Sequence, residues 1–409
     1  MQQETTRPVP TAEIDAPAVA RRQPAVLQVL PSLVTGGVER GTVEIAQALT
    51  EAGWRAVVAS SGGPMVRELV RVGAHHVTLP LASKNPLVMH RNVARLEHLI
   101  REMDIDIVHA RSRAPAWSAR AAAAQAGAHF VTTFHGTYSL GWFGLKRFYN
   151  SVMTSGERVI AISNFIATHA EHTYGLDPRV IRIIHRGVDL TRFDPKRVSQ
   201  ERIIQLAQKW RLPDGSPVIM LPGRLTRWKG QAVLIEALAR LGRHDLRCLL
   251  VGSDQGRSAY RAELTALIDR LGLTGIVHLV DECSDMPAAL MLTDVVVSAS
   301  TDPEAFGRVV IEAQAMGRPV IATDHGAPRE TILPGRTGWL VPPGDPDALA
   351  EALARFLDLA PDERSRMADD ARAVAHENFS RQRMCDATLA VYREILGLPP
   401  TPGPAASAA

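Results

Sequence analysis

Two carboxylates, Glu304 and Glu312, stand with seven residues between them in TDPEAFGRVVIEAQAMGRPVIATDH, residues 301–325. The first lies in a loop ahead of a helix that the pattern starts near Phe306 and Gly307, and the second falls in that helix's second turn. Both can therefore face whatever lies at the helix N-terminus. Gly307 lets a ligand approach the backbone, and the unpaired N–H groups of a first helical turn suit an anion. Amides for phosphate and acids for hydroxyl groups together describe a sugar-nucleotide site; the plain alternative is an ordinary surface pair. Upstream, Arg224 and Lys229 stand five residues apart in PGRLTRWKG, between a strand and a helix. A guanidinium fork and an ammonium point charge there could neutralise a diphosphate, or form a solvated basic loop. Gly36-Gly37 follows a short apolar run and precedes a helical one, yet it is not G-x-G-x-x-G, so the dinucleotide fingerprint is missing.

Positioning these residues takes two units. At 409 residues the chain exceeds one ordinary core and suits two domains. Short apolar runs at 25–33, 55–59, 76–81, 105–110, 130–134, 159–162 and 180–184 alternate with helical patterns, as in a parallel sheet with helices on both faces. The alternation repeats from 218, through 247–251, 276–280, 294–298 and 320–323. The chain divides into a leader over 1–24, a first domain over 25–195 and a second over 201–379. A closing helix spans 380–396 and a tail 397–409; leader and tail have the composition of disordered segments.

Composition narrows the classes. Hydrophobic residues make up 46% of the chain, and the three cysteines are scattered, which argues against a disulfide framework or zinc site. No apolar run reaches the ~18 residues of a membrane span, and the N-terminus has no secretory h-region. The net charge of +3 is uneven: residues 1–195 hold 21 Lys/Arg against 16 Asp/Glu, or +5, leaving −2 for the rest. A basic first half points to an anionic partner, a membrane surface or a phosphorylated substrate; no reader motif or dense basic run suggests nucleic acid. Residues 138–153 interleave Trp142, Phe143, Phe148 and Tyr149 with Lys146 and Arg147. Such a segment lies in a membrane interface or docks on its own domain; the charge asymmetry favours the membrane.

The Glu304-x7-Glu312 pair inside PEAFGRVVIEAQAMGRPVIAT resembles the signature of retaining glycosyltransferases of family 4. The resemblance covers roughly 25–396 and is most specific over 223–344, including G-R-L-x4-G at Gly223. It implies an α/β architecture of GT-B type, two Rossmann-like doubly wound parallel-sheet domains facing a cleft, with the closing helix returning to the first domain. It also implies a Gly36–Gly37 loop near the donor diphosphate, with Glu39 in a G-G-x-E pattern, and His135-Gly136 lining the cleft near the donor sugar. A short helix over 283–290 would sit near the nucleotide base. His185-Arg186 replace the family's usual Pro-Asn, and His109, at a strand end, is either a site residue or a cap.

The expectation is a hexosyltransferase-type enzyme that retains anomeric configuration. It would move sugar from a UDP- or GDP-sugar to a lipopolysaccharide-core, lipid-linked or polysaccharide acceptor. His135, Arg224, Lys229 and Glu304 would be catalytic; Gly36, Gly37, Phe306, Gly307 and Glu312 would complete the donor site with Arg224, Lys229 and Glu304. No cofactor or metal is expected, since Arg224 and Lys229 are assigned the leaving charge. The expected location is the cytoplasm, peripheral on an anionic inner membrane. A nucleotide-sugar epimerase of the same fold and a non-catalytic sugar-nucleotide binder are the rival classes.

Overall fold

A computed structural model describes residues 22–34, 36–138 and 145–400. Most of the expected leader, the end of the tail, and Trp142 and Phe143 fall outside these residues. The first half runs β1 (Ala25–Val29), α1 (Gly37–Glu51), β2 (Arg55–Ser60), α2 (Val66–Arg71), β3 (His75–Thr78) and α3 (Pro86–Glu102). It continues through β4 (Ile107–Ala110), α4 (Arg113–Ala126), β5 (His129–Phe134), α5 (Leu145–Ser151), β6 (Arg158–Ala161), α6 (Asn164–Tyr174) and β7 (Ile181–Ile183). The second half holds α7 (Gln200–Trp210), β8 (Val218–Pro222), α8 (Gln231–Leu241), β9 (Arg247–Val251), α9 (Ser258–Arg270), β10 (Val277–Val280) and α10 (Met286–Met291). Then come β11 (Val295–Ser298), α11 (Arg308–Ala315), β12 (Val320–Thr323), α12 (Pro328–Thr331) and β13 (Gly338–Val341). The chain closes with α13 (Pro346–Leu357), α14 (Pro361–Asn378) and α15 (Arg381–Ile395).

Both sheets are parallel throughout, in the orders β3-β2-β1-β4-β5-β6-β7 and β10-β9-β8-β11-β12-β13. The central strands β1, β8 and β11 are buried along their whole length, as strands covered by helices on both faces must be. Strand order reverses beside β1 in the first sheet and beside β8 in the second. In a doubly wound sheet, ligands bind outside the carboxyl ends of the strands at such a switch point. The loops there follow β1, β4, β8 and β11, and all the chemistry below sits on or beside them.

The halves are joined by two crossings that lie side by side. Val188 N donates to Phe379 O (2.8 Å) and Arg381 N to Val188 O (2.8 Å). After the second crossing α15 packs on α1 in the first half. Its Tyr392 is fully buried there, with its hydroxyl 2.6 Å from His109 Nδ1; His109 Nε2 lies 2.7 Å from Thr133 Oγ1. His109 is therefore a fully satisfied core histidine. Burial and the nearby Arg111 and Arg186 push its pKa well down, so the ring pins α15 to the sheet as a neutral group. Of the aromatic segment, the described helix is confined to α5, where Leu145 (75% exposed) and Phe148 (68% exposed) stand outward beside exposed Lys146 and Arg147.

Candidate active site

Two glycines set the geometry of the second switch point. Gly230, with φ 72°, ends the turn that carries Lys229, and any Cβ there would collide with the Ala299 carbonyl. Gly326, with φ 82°, lies so close to the Glu304 backbone that a side chain has no room; Ala327 N donates to Glu304 O at 2.9 Å. The loops after β8, β11 and β12 are thus drawn against one another. The result is an ion pair between Lys229 Nζ and Glu304 Oε1, with Ser300 Oγ donating to the same oxygen at 3.1 Å. The Lys229 and Glu304 side chains are only 16% and 9% exposed. Arg224, from the same β8 loop, is exposed and has no carboxylate partner among the described residues. One expected cation is thus already paired with the expected acid, and the other is free for a ligand.

Gly307 (φ 78°) caps α11 in the left-handed conformation with no side chain serving the first turn; Val310 N turns back to Gly307 O at 2.9 Å, and the amides ahead of it are left for an anion. Phe306 is 3% exposed and packs against His185 (5.8 Å) and Phe379 (6.0 Å). Its ring packs in the core between the halves, which leaves its backbone for a ligand. Glu312 does not share a partner with Glu304. It lies 3.6 Å from Arg308 Nε one turn earlier on α11, while Arg308 Nη2 reaches across to Glu44 Oε1 of α1 at 3.1 Å. Burial raises the Glu312 pKa and Arg308 opposes the rise. Burial disfavours the Arg308 charge, but Glu44 and Glu312 outweigh it and its pKa rises.

From the first half, Gly36 and Gly37 are exposed at the start of α1, and a Cβ on Gly37 would sit 3.8 Å from Arg308 Cδ. The glycine loop therefore faces the start of α11. His135, just past β5, is joined to this group: Gly136 lies against Ala305, and Arg186 Nη2 is 2.6 Å from His135 Nδ1. The structure thus gathers Gly37, His135, Lys229, Glu304, Gly307 and Glu312 around one cleft.

Glu44, Arg186 and Arg308 were not singled out as site residues from sequence. Two of them carried a readable signal: Arg308 and Glu312 are an i,i+4 pair, and Gly37, Gly41 and Glu44 share one face of α1. Beside the loop after β10, a cavity of about 390 Å³ is lined by Lys209, Trp210, Leu279, Cys283 and Asp285. Asp285 caps α10 through Ala288 N, at 3.2 Å.

A second set of contacts joins the two halves beside the cleft. Glu330 of α12 accepts from Asn164 N, Phe165 N and Asn164 Nδ2, each at 2.8 Å, and lies 2.9 Å from His185 Nε2. A carboxylate of the second half thus caps α6 of the first, and beside it Ser163 Oγ donates to Ala305 O at 2.8 Å. Burial works against the Glu330 charge, yet the bonds from His185, Phe165 and Asn164 prevail and lower its pKa. Glu330→Ala should therefore cost about 1–2 kcal/mol, the scale of a lost helix cap. Urea denaturation measures the loss, and an unchanged midpoint would show that the contact carries no stability.

Comparisons with known proteins place this geometry. The description "Glycosyl transferases group 1" matches residues 203–374, and "Glycosyltransferase Family 4" matches 35–192. A GDP-mannose-dependent monoacylated alpha-(1-6)-phosphatidylinositol monomannoside mannosyltransferase of Corynebacterium glutamicum is 30% identical over 71% of this chain and 76% of its own. A D-inositol 3-phosphate glycosyltransferase of Xylanimonas cellulosilytica is 34% identical over 59% of this chain, and the match spans 58% of that relative's length. Among solved structures, a glycosyltransferase from Rickettsia africae has a TM-score of 0.85 at 39% identity, covering 91% of this chain and 99% of that one. Anabaena HepE in complex with UDP has a TM-score of 0.79 at 26% identity, covering 91% and 100%. With two GT-B domains, the acid pair on and before α11, and these matches over most of its length, the chain belongs to glycosyltransferase family 4.

Proposed function

We propose that this chain is a retaining glycosyltransferase that moves a sugar from a UDP- or GDP-sugar to a hydroxyl of a lipid-linked or polysaccharide acceptor. The observation that carries this reading is the second switch point: the buried Lys229–Glu304 pair beside the start of α11, which no side chain caps, with Arg224 next to it and without a carboxylate partner among the described residues. When the bond from the sugar anomeric carbon to the diphosphate breaks, negative charge gathers on the departing phosphate oxygen. Arg224, Lys229 and the α11 amides stabilise that charge. The acceptor oxygen bonds to the same face that the diphosphate leaves, and its proton passes to the departing phosphate. Glu304 holds sugar hydroxyls and Glu312 the ribose. The nucleotide choice is supported by UDP in the HepE structure and by the GDP-mannose dependence of the Corynebacterium relative. A thermal-shift screen over nucleotide sugars tests it, since a ligand that binds only the folded state raises the Tm. No shift with any UDP- or GDP-sugar would remove the donor assignment.

Protein cations take the leaving charge in this scheme, so the reaction should need no metal. Excess chelator is expected to leave the initial rate unchanged; a rate abolished by chelator and restored by magnesium or manganese would overturn the assignment.

The acceptor is proposed to lie at a membrane surface, and lipopolysaccharide core falls within that class. No helix among the described residues is long and apolar enough to cross a membrane. Leu145 and Phe148 stand exposed next to Lys146 and Arg147, however, and Leu87 at the start of α3 is 71% exposed. An apolar and basic surface of this kind suits an anionic interface. Binding to anionic vesicles should weaken with salt and with Lys146→Glu/Arg147→Glu. Equal binding to neutral and anionic vesicles, or none to either, counts against it.

A further inference from the structure

We infer that Arg186 is a positioning residue: it holds His135 as the Nε2–H tautomer, so that the ring presents one fixed hydrogen-bond donor to the bound donor substrate. The inference deepens the transferase reading and rests on it for the identity of the ligand, but not for the tautomer.

A guanidinium has only donors. With Arg186 Nη2 at 2.6 Å, His135 Nδ1 must be the accepting lone pair, and the ring proton must sit on Nε2. That Nε2 is out of solvent and has no hydrogen-bond partner among the described residues. An unpaired buried donor is costly, and in a native structure it calls for a reason. His135 supplies one by its place. The next residue, Gly136, lies against Ala305, and Ala305 adjoins Glu304 in the loop that leads into α11. An oxygen of the bound substrate, a sugar hydroxyl or a phosphate oxygen, completes the donor; an ammonium group cannot.

Arg186 is itself built in. It is 7% exposed, and Gly41 of α1 makes room for it: a Cβ there would come within 2.9 Å of Arg186 Nη1 and 3.0 Å of Arg111 Nη2. Arg111 is turned to Gln28 Oε1 (3.0 Å), so it does not compete for His135. Burial, then Arg111 and Arg308, lower the Arg186 pKa to about 9 against the pull of Glu44, which still leaves it a cation at neutral pH. The charged and titratable groups facing His135 are Arg186 at the end of β7, and Arg111 and His109 from β4; the Tyr138 phenol bonds its backbone. Burial and these three side chains all disfavour imidazolium, and none of them is a carboxylate. Protonating Nδ1 would also break the Arg186 bond.

Imidazole 15N spectra of the full chain test this without any substrate or turnover, so failure here and failure of the transferase reading are separable. His135 should carry its proton on Nε2 and show no titration between pH 5.5 and 8, below and above the ordinary histidine value of about 6.5. A proton on Nδ1, or titration near 6.5, would overturn the inference. Arg186→Met removes donor and charge, and should raise the His135 titration into that window and lower kcat by roughly ten- to a hundredfold, the scale of one misplaced buried hydrogen bond. Arg186→Lys should restore most of both. If Met does not fold, the wild-type spectrum alone decides. Adding a nucleotide sugar that raises the Tm should shift the Nε2–H resonance, and an unmoved resonance with that ligand bound would overturn the substrate contact.

Discussion

Glu304→Gln is expected to lower kcat by roughly 10²–10³-fold, the scale of losing one preorganised electrostatic group, with no glycosyl-enzyme forming at any stage. The substitution keeps the shape and removes the charge. Lys229 then loses its anion in a setting where the pair is mostly out of water, and Ser300 loses a charged acceptor. The ammonium is free to swing toward the diphosphate, so donor affinity should hold or rise while turnover falls. A retaining glycosidase would instead use such a carboxylate as a nucleophile, with a second carboxyl group about 5–5.5 Å away. Glu304 is engaged by a cation and a hydroxyl, and Glu312 by Arg308, so neither is poised for that part. Mass spectrometry of the variant with slow substrates checks the covalent species, and NMR of the product checks the anomer. A sugar trapped on Glu304, or an inverted product, would sink the mechanism.

The second large effect separates the two cations. Arg224→Ala and Lys229→Ala should each remove on the order of 2–4 kcal/mol of transition-state stabilisation. Their effects on stability should differ. Arg224 is exposed and unpaired among the described residues, so its loss should leave the Tm unchanged. Lys229→Ala strands Glu304, which is 7% exposed, as a buried anion with one hydroxyl donor. Breaking one side of a buried pair costs about 3–5 kcal/mol, so the Tm should fall as well. Calorimetry beside kcat/KM distinguishes the two. Turnover within threefold of wild type for both variants removes them from the site, and equal Tm values would mean that the Lys229–Glu304 pair does not carry the loop.

Much of this site could be read along the chain because its parts are local. Glu304, Gly307 and Glu312 belong to one loop and helix, and a helix start brings its own amides wherever it lies. Arg224 and Lys229 sit on one strand-to-helix loop, and the alternation of short apolar runs with helical patterns is enough to announce parallel sheets. Local pattern also set Glu304 ahead of α11 and Glu312 in its second turn.

What joins elements distant in sequence was decided only by the fold. Periodicity does not say which loop meets which, because switch points arise from strand order. The pairing of Lys229 with Glu304 depends on Gly230 meeting the Ala299 carbonyl, and on Gly326 meeting the Glu304 backbone. The Phe306 ring is packed in the core because His185 and Phe379 arrive from two other segments, which the sequence around Gly307 does not show. His109, open between two readings in the sequence, is made structural by Tyr392 from α15, 283 residues away. Arg186 reads as a substitution in a motif until β7 and β5 set its guanidinium against His135. A side chain's chemistry is written in its type; its partner, and hence its tautomer, charge and role, follows from which strands lie side by side.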